Sequence, residues 1–209
     1  QPKLDGSALS LEYRKGRLVR AATRGSGNRG EDVTKNARRV ENVPHTLGVE
    51  VDVHIRGEVV MRKSTFEERY AEVSPNPRNL AAGALRQKKA EGKANASDLV
   101  FLAYDAKFPE ESARHPDSTL PPVVANDSEI LSWLSETAGV TPAPWIITES
   151  NDVDELTLGL CNETQKWTNE RIGYEFEIDG LVFKVDDLSK RELLGMTAHH
   201  PRWALAWKF

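Results

Sequence analysis

The feature that most constrains the fold is a strand, turn and strand pattern near the start of the chain. Residues 8–13 alternate apolar and polar side chains, and residues 18–23 resume an extended pattern after the pair Lys15-Gly16. A period of two indicates a strand with one buried face, and a short glycine-containing turn joins two such strands side by side. The pattern therefore predicts an antiparallel β-hairpin.

Strand and helix patterns follow one another along the rest of the chain. Four further strands are expected, at residues 49–55, 99–106, 177–185 and 204–209. The first of them is followed directly by Arg56-Gly57-Glu58, which we expect at the end of that strand. Stretches rich in glycine, or in proline and charge, indicate loops at residues 24–30 and 108–122.

Four helices are also expected. A capping box of Ser64 and Glu67 starts the first, and the others cover residues 80–89, residues 128–137 up to Gly139, and residues 153–171. The last helix has its more apolar side chains on one face: Val153, Leu156, Leu160, Thr164 and Trp167. Helices and hairpins mixed in this order predict an α+β fold with antiparallel sheets and packed helices.

The bulk properties are those of one globular domain, which we assign to residues 1–209. No apolar run approaches the roughly 20 residues that cross a bilayer, and no secretion signal is visible, so we expect a cytoplasmic protein without a membrane partner. The net charge of −4 argues weakly against nucleic-acid binding, which would have to depend on local clusters. The single cysteine, Cys161, excludes an internal disulfide, and we interpret it as a packing residue.

Several charged residues stand where a fold could gather them around Lys3. Lys184 and Lys208 lie inside apolar strands, where an unpaired ammonium is costly. Neighbouring cations disfavour a protonated lysine, and a lysine must lose its proton before it attacks, so Lys3 is a candidate nucleophile. The same cations suit a polyphosphate or another anion.

Arg24, Glu58 and Tyr104 are further candidates. Glu58 could bind a nucleotide ribose or help to hold Mg²⁺ between phosphates, and Tyr104 offers a ring for stacking on a base. Simpler interpretations exist for the three lysines and for Tyr104. Lys3 can be a surface lysine before a turn, the strand lysines can reach solvent from a sheet edge, and Tyr104 can be a core residue.

Residues 3–6, Lys-Leu-Asp-Gly, look like the adenylation motif of the covalent nucleotidyltransferases, which comprise DNA ligases, RNA ligases and mRNA capping enzymes. Five longer signatures resemble the bacterial-type NAD-dependent DNA ligases: residues 22–34, 56–58, 76–87, 177–185 and 201–209. Five signatures in order are far more specific than one. The resemblance implies the covalent nucleotidyltransferase fold, which is ATP-grasp-like, and an enzyme of DNA replication and repair.

By this resemblance, Lys3 attacks the α-phosphate of NAD, releases nicotinamide mononucleotide and becomes lysyl-AMP. AMP then passes to the 5′-phosphate of a nick in double-stranded DNA, and the 3′-hydroxyl seals the strand. The implied nucleotide ligands are Gln1, Asp5, Arg24, Glu58, Tyr104, Lys184 and Lys208. Lys184 and Lys208 would neutralise the phosphate. Glu58 would bind the ribose, and Tyr104 would stack on the adenine.

The resemblance also implies contacts with DNA. Arg78, Arg86 and Arg171 resemble residues that meet DNA phosphates near the nick, and such contacts do not read base sequence. Asp179 with Gly180 resembles the backbone support of the nucleotide pocket. Mg²⁺ is the implied metal ion, and no side chain is assigned as its direct ligand.

Some features depart from the pattern of these ligases. Gln1 replaces a Glu that is usual beside the adenine, Ser26 replaces a frequent Asp, and His199-His200 replaces an Arg-containing pair. Because the chain has no initiator Met and its motifs lie at both ends, we expect a domain excised from a larger ligase. Its partners would include an N-terminal domain that grips the nicotinamide half of NAD and an OB-fold domain. Without them, full ligation is not expected.

Two alternatives stay open. An ATP-dependent ligase or capping-type enzyme shares the lysine chemistry, but residues 24–34 and 76–87 count against it. A degenerate, non-catalytic module that binds nucleotide or DNA would keep the fold. The intact set of Lys3, Glu58, Lys184 and Lys208 counts against that alternative.

Overall fold

The computed structural model describes residues 1–25, 30–88, 94–109, 124–198 and 200–209. Its strands are β1 (Pro2–Leu4), β2 (Ser7–Arg14), β3 (Arg17–Thr23), β4 (Val53–Met61), β5 (Leu99–Lys107), β6 (Ile178–Lys184) and β7 (Ala204–Lys208). They form a four-stranded sheet in the order β3-β2-β4-β5 and a three-stranded sheet in the order β1-β6-β7. Neighbouring strands are antiparallel in both sheets, which confirms the expected α+β class.

The helices of the described residues are α1 (Thr34–Ala37), α2 (Lys63–Arg69), α3 (Pro77–Arg86), α4 (Asp127–Trp133), α5 (Val153–Glu170) and α6 (Leu188–Leu194). A 3₁₀ turn, Ala96–Asp98, leads into β5. A π-helical turn, Leu134–Ala138, prolongs α4 as far as Gly139, whose φ of 74° is left-handed and ends the helix. The predicted end of this helix at Gly139 is confirmed.

The predicted hairpin is formed by β2 and β3. Lys15 and Gly16 both have positive φ, at 47° and 71°, as a tight turn between twisted strands requires. A side chain at Gly16 would also lie 2.4 Å from the carbonyl oxygen of Val49, so the neighbouring loop closes over the turn. Glycine is therefore needed here for both its backbone freedom and its size.

Two hydrophobic cores lie on opposite faces of the larger sheet. Alternate residues of β5 enter different cores: Leu99, Phe101 and Ala103 enter the larger one, and Val100 and Leu102 enter the smaller one. The larger core also receives side chains from α3 and α4. The smaller core joins this sheet to β1 and β6 through Leu4 and Ile178. The two sheets therefore face each other across the smaller core.

Two predictions about β4 and α2 are wrong. Arg56-Gly57-Glu58 lies in the middle of β4 and not at its end, because β4 stays paired with β2 and β5 beyond these residues. The helix near residue 64 is present, but it begins at Lys63 with Arg62 as its N-cap and no side-chain cap. Ser64 and Glu67 are therefore both inside the helix and form no capping box.

The bounds of α3 and the packing of α5 also differ from expectation. The Asn76 side chain accepts a hydrogen bond from the backbone of Asn79, and this cap starts α3 before residue 80. The predicted α5 is present, but none of its residues is buried, and Val153 is 76% exposed. Because α5 contacts the protein along one edge only, Cys161 is exposed and is not the packing residue that we expected.

Three short elements, β1, α1 and α6, were not predicted. They contain three, four and seven residues, which is too short for a periodic pattern to stand out. Parts of the predicted loops, residues 26–29 and 110–122, lie outside the described residues, as do His199 and Lys89 at the end of the predicted helix 80–89.

Candidate active site

Lys3 occupies the middle of β1, and the pairing of the smaller sheet sets its position. Lys3 lies opposite Gly180 of β6, and Gly180 lies opposite Lys208 of β7. Residues directly opposite each other on neighbouring strands project to the same face of a sheet. Three strands thus bring two lysines that are far apart in sequence to one face.

Asp179 joins these two lysines. Its Oδ1 accepts a hydrogen bond from Lys3 Nζ at 2.7 Å, and its Oδ2 lies 3.5 Å from Lys208 Nζ. Burial raises the pKa of Asp179, but the hydrogen bond from Lys3 and the charges of both lysines outweigh it, so the pKa is below its usual value. The charged group in contact with Lys3 is therefore a carboxylate, with Lys208 on its other oxygen.

Gly180 is required by the close approach of β7. A Cβ atom on Gly180 would lie 1.9 Å from the carbonyl oxygen of Trp207, and backbone atoms cannot move aside without separating the strands. The absence of a side chain here holds Lys208 beside Asp179. The spacing of β6 and β7 therefore explains why position 180 is a glycine.

Glu58 reaches the same region from the larger sheet. It lies opposite Leu102 in the β4–β5 pairing, on the side of the smaller core. Burial raises the pKa of its carboxyl group to about 7, and the positive charges of Lys3, Arg78 and Arg24 pull it down only in part. Glu58 is thus a desolvated carboxyl group with cationic neighbours.

Tyr104 and Arg24 are neighbours of Glu58. Burial and then the charge of Glu58 raise the pKa of Tyr104 to about 12, while Arg24 acts in the opposite direction. Tyr104 is half-buried. Arg24 itself is exposed.

The two strand lysines differ in their environments. The Lys184 side chain is 14% exposed, and its Nζ lies 2.6 Å from Asp127 Oδ2 and donates to the carbonyl oxygen of Tyr104 at 3.1 Å. The Lys208 side chain is 69% exposed. Of the two interpretations left open for these lysines, burial with a partner applies to Lys184. Lys208 follows the other one, a lysine that reaches solvent from a sheet edge, because β7 is an edge strand and largely exposed.

Gln1 lies at the end of β1 next to β6. Its backbone carbonyl accepts a hydrogen bond from Val182 N at 2.8 Å. Its side-chain Nε2 is buried and has no acceptor among the described residues. A buried amide donor without a partner is costly, so an acceptor atom of a ligand would stabilise this position.

The arginines expected to meet DNA lie at separate places. Arg78 Nη1 donates to Asp5 Oδ1 at 2.9 Å, which links α3 to the turn after Lys3. Arg86, at the other end of α3, lies 3.8 Å from Glu31 Oε2, and the Arg171 guanidinium stacks 4.9 Å from the ring centre of Phe209. Arg78 alone of the three forms an ion pair with a residue of the candidate nucleotide site. Its side chain is 58% exposed and accessible to a further anion.

A family model of the NAD-dependent DNA ligase adenylation domain matches residues 1–209. The chain belongs to this family. It is similar to proteins named DNA ligase from Rhodopseudomonas palustris (strain BisA53), with 40% identity over 219 residues, and from Sulfurihydrogenibium azorense, with 37% over 221 residues. Each similarity covers 100% of this chain but only 28% and 30% of the relative. A DNA ligase of Bacillus cytotoxicus is 37% identical over 216 residues, which cover 99% of this chain and 29% of that protein.

The site of this adenylation domain contains several groups that can bind an anion or a hydrogen-bond acceptor. Lys3, Lys184 and Lys208 each carry an ammonium group, and Gln1 has a buried amide donor without a hydrogen-bond partner among the described residues. Among the described residues there is no group of three or more His, Cys, Asp or Glu side chains that could hold a metal ion. Nor does any helix within the described ranges have the length and apolar character to cross a membrane.

Sequence reasoning missed two buried charged residues of this adenylation domain, Asp127 and Arg191. Asp127 accepts from Arg191 Nη1 at 2.9 Å in addition to its ion pair with Lys184. Burial raises the pKa of Asp127, but the hydrogen bonds and charges of Arg191 and Lys184 outweigh it, so the pKa is below its usual value. In the sequence neither residue stands out, because Asp127 precedes the predicted helix 128–137 and Arg191 lies in α6, which was not predicted.

Proposed function

We propose that Lys3 becomes covalently linked to AMP taken from NAD, and that the complete protein carrying this chain uses this AMP to seal nicks in double-stranded DNA. The observation that carries the proposal is the arrangement of Lys3, Asp179 and Lys208 across three strands, in a chain whose whole length matches the adenylation family. A nucleophile and a phosphate-binding cation on one carboxylate suit attack on a phosphorus atom.

In the proposed step, the Lys3 ammonium first gives one proton to water, and the neutral Nζ then attacks the α-phosphorus of NAD. A nitrogen–phosphorus bond forms, the bond from that phosphorus to the oxygen of nicotinamide mononucleotide breaks, and the leaving oxygen takes the electron pair. The nitrogen bonded to phosphorus gives a second proton to water, which leaves the phosphoramidate. Lys184 and Lys208 stabilise the negative charge of the phosphate, which is the main task of a protein in phosphoryl transfer.

The other residues bind the nucleotide. Glu58 accepts hydrogen bonds from the ribose hydroxyls, Tyr104 stacks on the adenine, and Gln1 Nε2 donates to the base. Arg24 and Asp5 complete the pocket. The partial exposure of Tyr104, and the Gln1 amide that has no hydrogen-bond partner among the described residues, support these assignments.

The later steps need the rest of the protein. Arg78, Arg86 and Arg171 bind phosphates of nicked DNA without regard to base sequence. Mg²⁺ is held mainly by substrate phosphates and water, as is usual for this ion. The partners are flanking domains that bind the nicotinamide half of NAD and close over the DNA, and the chain is part of a larger ligase of replication and repair. A cytoplasmic location stays a prediction.

The proposal is tested with the complete protein, Mg²⁺ and either NAD or ATP, followed by intact mass measurement. One added AMP from NAD, and none from ATP, is the expected result. Lys35→Ala serves as a control, because Lys35 is an exposed lysine of α1 outside the site, and this variant should be labelled normally. Labelling from ATP alone would establish the ATP-dependent alternative, and no labelling from either would favour a binding module.

A further inference from the structure

The ammonium group of Lys184 has two of its three donors taken by the protein. One meets Asp127 Oδ2 at 2.6 Å, and one meets the carbonyl oxygen of Tyr104 at 3.1 Å. An ammonium has three donors and no acceptor, so one N–H remains. Two fixed partners determine the direction of the third bond, which a lysine on a flexible stem would otherwise leave free.

Asp127 is itself held from several sides. Arg191 donates to its Oδ1 at 2.9 Å, and the Arg191 guanidinium is fixed by the Val185 carbonyl and by the ring of Trp203, 4.4 Å away. The start of α4 is tied to the segment after β6, because Asp127 N donates to the Asp186 carbonyl at 2.9 Å. Ser128 N and Oγ both donate to the Asp186 carboxylate at 2.8 Å. The carboxylate of Asp127 therefore cannot follow a movement of the lysine.

Asp127 has two cationic partners, Arg191 and Lys184. The Arg191 side chain is 10% exposed and that of Lys184 is 14% exposed. Lys184 also contacts the backbone carbonyl oxygen of Tyr104, a residue of the candidate nucleotide site. Lys184 is therefore the partner of Asp127 that lies beside this site.

We propose that Asp127 is a positioning residue, which holds Lys184 so that its remaining N–H donates to the phosphate of the bound nucleotide. The proposal rests on the function proposed above, in which Lys184 binds phosphate. Asp127 contacts no nucleotide atom itself and acts through Lys184. Its removal should therefore affect ligands that carry a phosphate and spare those that lack one.

The test compares AMP with adenosine as ligands of the complete protein that carries this chain, by calorimetry. Asp127→Asn should weaken AMP binding about tenfold, the usual loss for one well-placed charged hydrogen bond, and leave adenosine binding unchanged. Lys184→Met should show the same reduction in the preference for AMP over adenosine. The double variant Asp127→Asn with Lys184→Met should show no larger reduction in this preference than either single variant. An unchanged AMP preference in Asp127→Asn would overturn the proposal.

Arg191→Met separates positioning from folding. It removes the other partner of Asp127, so it should lower the thermal midpoint while keeping the preference for AMP, because Lys184 keeps its carboxylate. An equal loss of preference in Arg191→Met would assign the effect to packing of the cluster and overturn the positioning role. If Asp127→Asn does not fold, Asp127→Asn with Arg191→Met removes both buried charges and gives the same comparison.

The outcome for Lys184→Met distinguishes the two proposals. A normal AMP preference in this variant would show that Lys184 binds no phosphate, and both the assigned role of Lys184 and the inference about Asp127 would fall. Loss of preference in Lys184→Met together with normal preference in Asp127→Asn would overturn the inference alone.

Discussion

Asp179 accepts a hydrogen bond from Lys3 at 2.7 Å, although the two residues are 176 positions apart in the sequence. β1 has only three residues, so the position of its central residue, Lys3, depends mainly on the pairing of β1 with β6. The candidate nucleophile is consequently ordered only when the first and last parts of the chain have come together. Substitutions that disturb the pairing of β6 with β7 should therefore also alter the position of Lys3.

Lys3→Arg and Lys3→Ala should both abolish labelling of the complete protein with AMP. The arginine variant can keep an ion pair with Asp179, but a guanidinium is not deprotonated at working pH and cannot attack phosphorus. Its thermal midpoint should stay close to that of the unmodified protein. Intact mass after incubation with NAD and Mg²⁺ checks the prediction, and normal labelling of either variant would contradict the assignment of the nucleophile.

Gly180→Ala should destabilise the chain and move Lys208. The added Cβ would lie 1.9 Å from the Trp207 carbonyl oxygen, so β6 and β7 must separate, at a cost of about 2–4 kcal/mol. The matched control is Gly83→Ala in α3, where an added Cβ meets nothing within 4 Å and the higher helix propensity of alanine should stabilise by up to about 1 kcal/mol. Urea unfolding of both variants measures the difference, and equal midpoints would refute the steric argument.

The hairpin of β2 and β3 could be predicted from the sequence, because alternation of apolar and polar residues survives where one face of a strand is buried. The strand β5 was also predicted, but it is buried on both faces and shows a continuous apolar run instead of alternation. The strands β6 and β7 were predicted as well, although β7 is largely exposed. The position of Arg56-Gly57-Glu58 within β4 could not be predicted, since β4 lies between two strands and its length is set by both. Pairing partners that are distant in the sequence leave no local pattern.

In the candidate site, too, some features could be predicted from the sequence and others depend on residues that are distant in the sequence. Lys184 and Lys208 have the same local signature, a lysine in an apolar strand, yet one is 14% exposed and the other 69%. The difference has two causes: β7 is a largely exposed edge strand whereas β6 is central, and α4 brings Asp127 to Lys184 from a separate part of the chain. Motif resemblance named both lysines, but no feature of the sequence could tell which one is buried with a partner.

Glu58→Gln should stabilise the chain at neutral and higher pH. In the unfolded chain this carboxyl group loses its proton near pH 4.5, whereas in the folded chain burial raises its pKa to about 7. Between these values the folded state binds more protons, so stability falls as the pH rises, and the full penalty remains above pH 7. Glutamine cannot ionise and should gain about 2–3 kcal/mol at about pH 8 and little at about pH 5.

Glu129→Gln gives a control of opposite sign. Hydrogen bonds from the backbone N–H groups of Ala125 and Asn126 hold the pKa of Glu129 below its usual value, so ionised Glu129 stabilises the folded state above that usual value. This substitution should lower stability at about pH 8. Urea midpoints at both pH values measure the two variants, and a gain for Glu129→Gln with none for Glu58→Gln would contradict the burial argument.

Arg78→Ala and Arg86→Ala should each weaken binding of the complete protein to nicked DNA and reduce its dependence on salt. Each phosphate contact releases condensed counterions, so losing one should reduce the slope of log affinity against log salt by about 0.9. Arg14→Ala is a suitable control, because Arg14 is a comparably exposed arginine whose ion pairs are with Glu12 and Asp52 at the far end of β2. Arg78 also leaves Asp5 when it binds phosphate, so Arg78→Ala should show the smaller loss of affinity of the two. Fluorescence anisotropy over a salt series measures both quantities, and an unchanged slope in both variants would exclude α3 from the DNA interface.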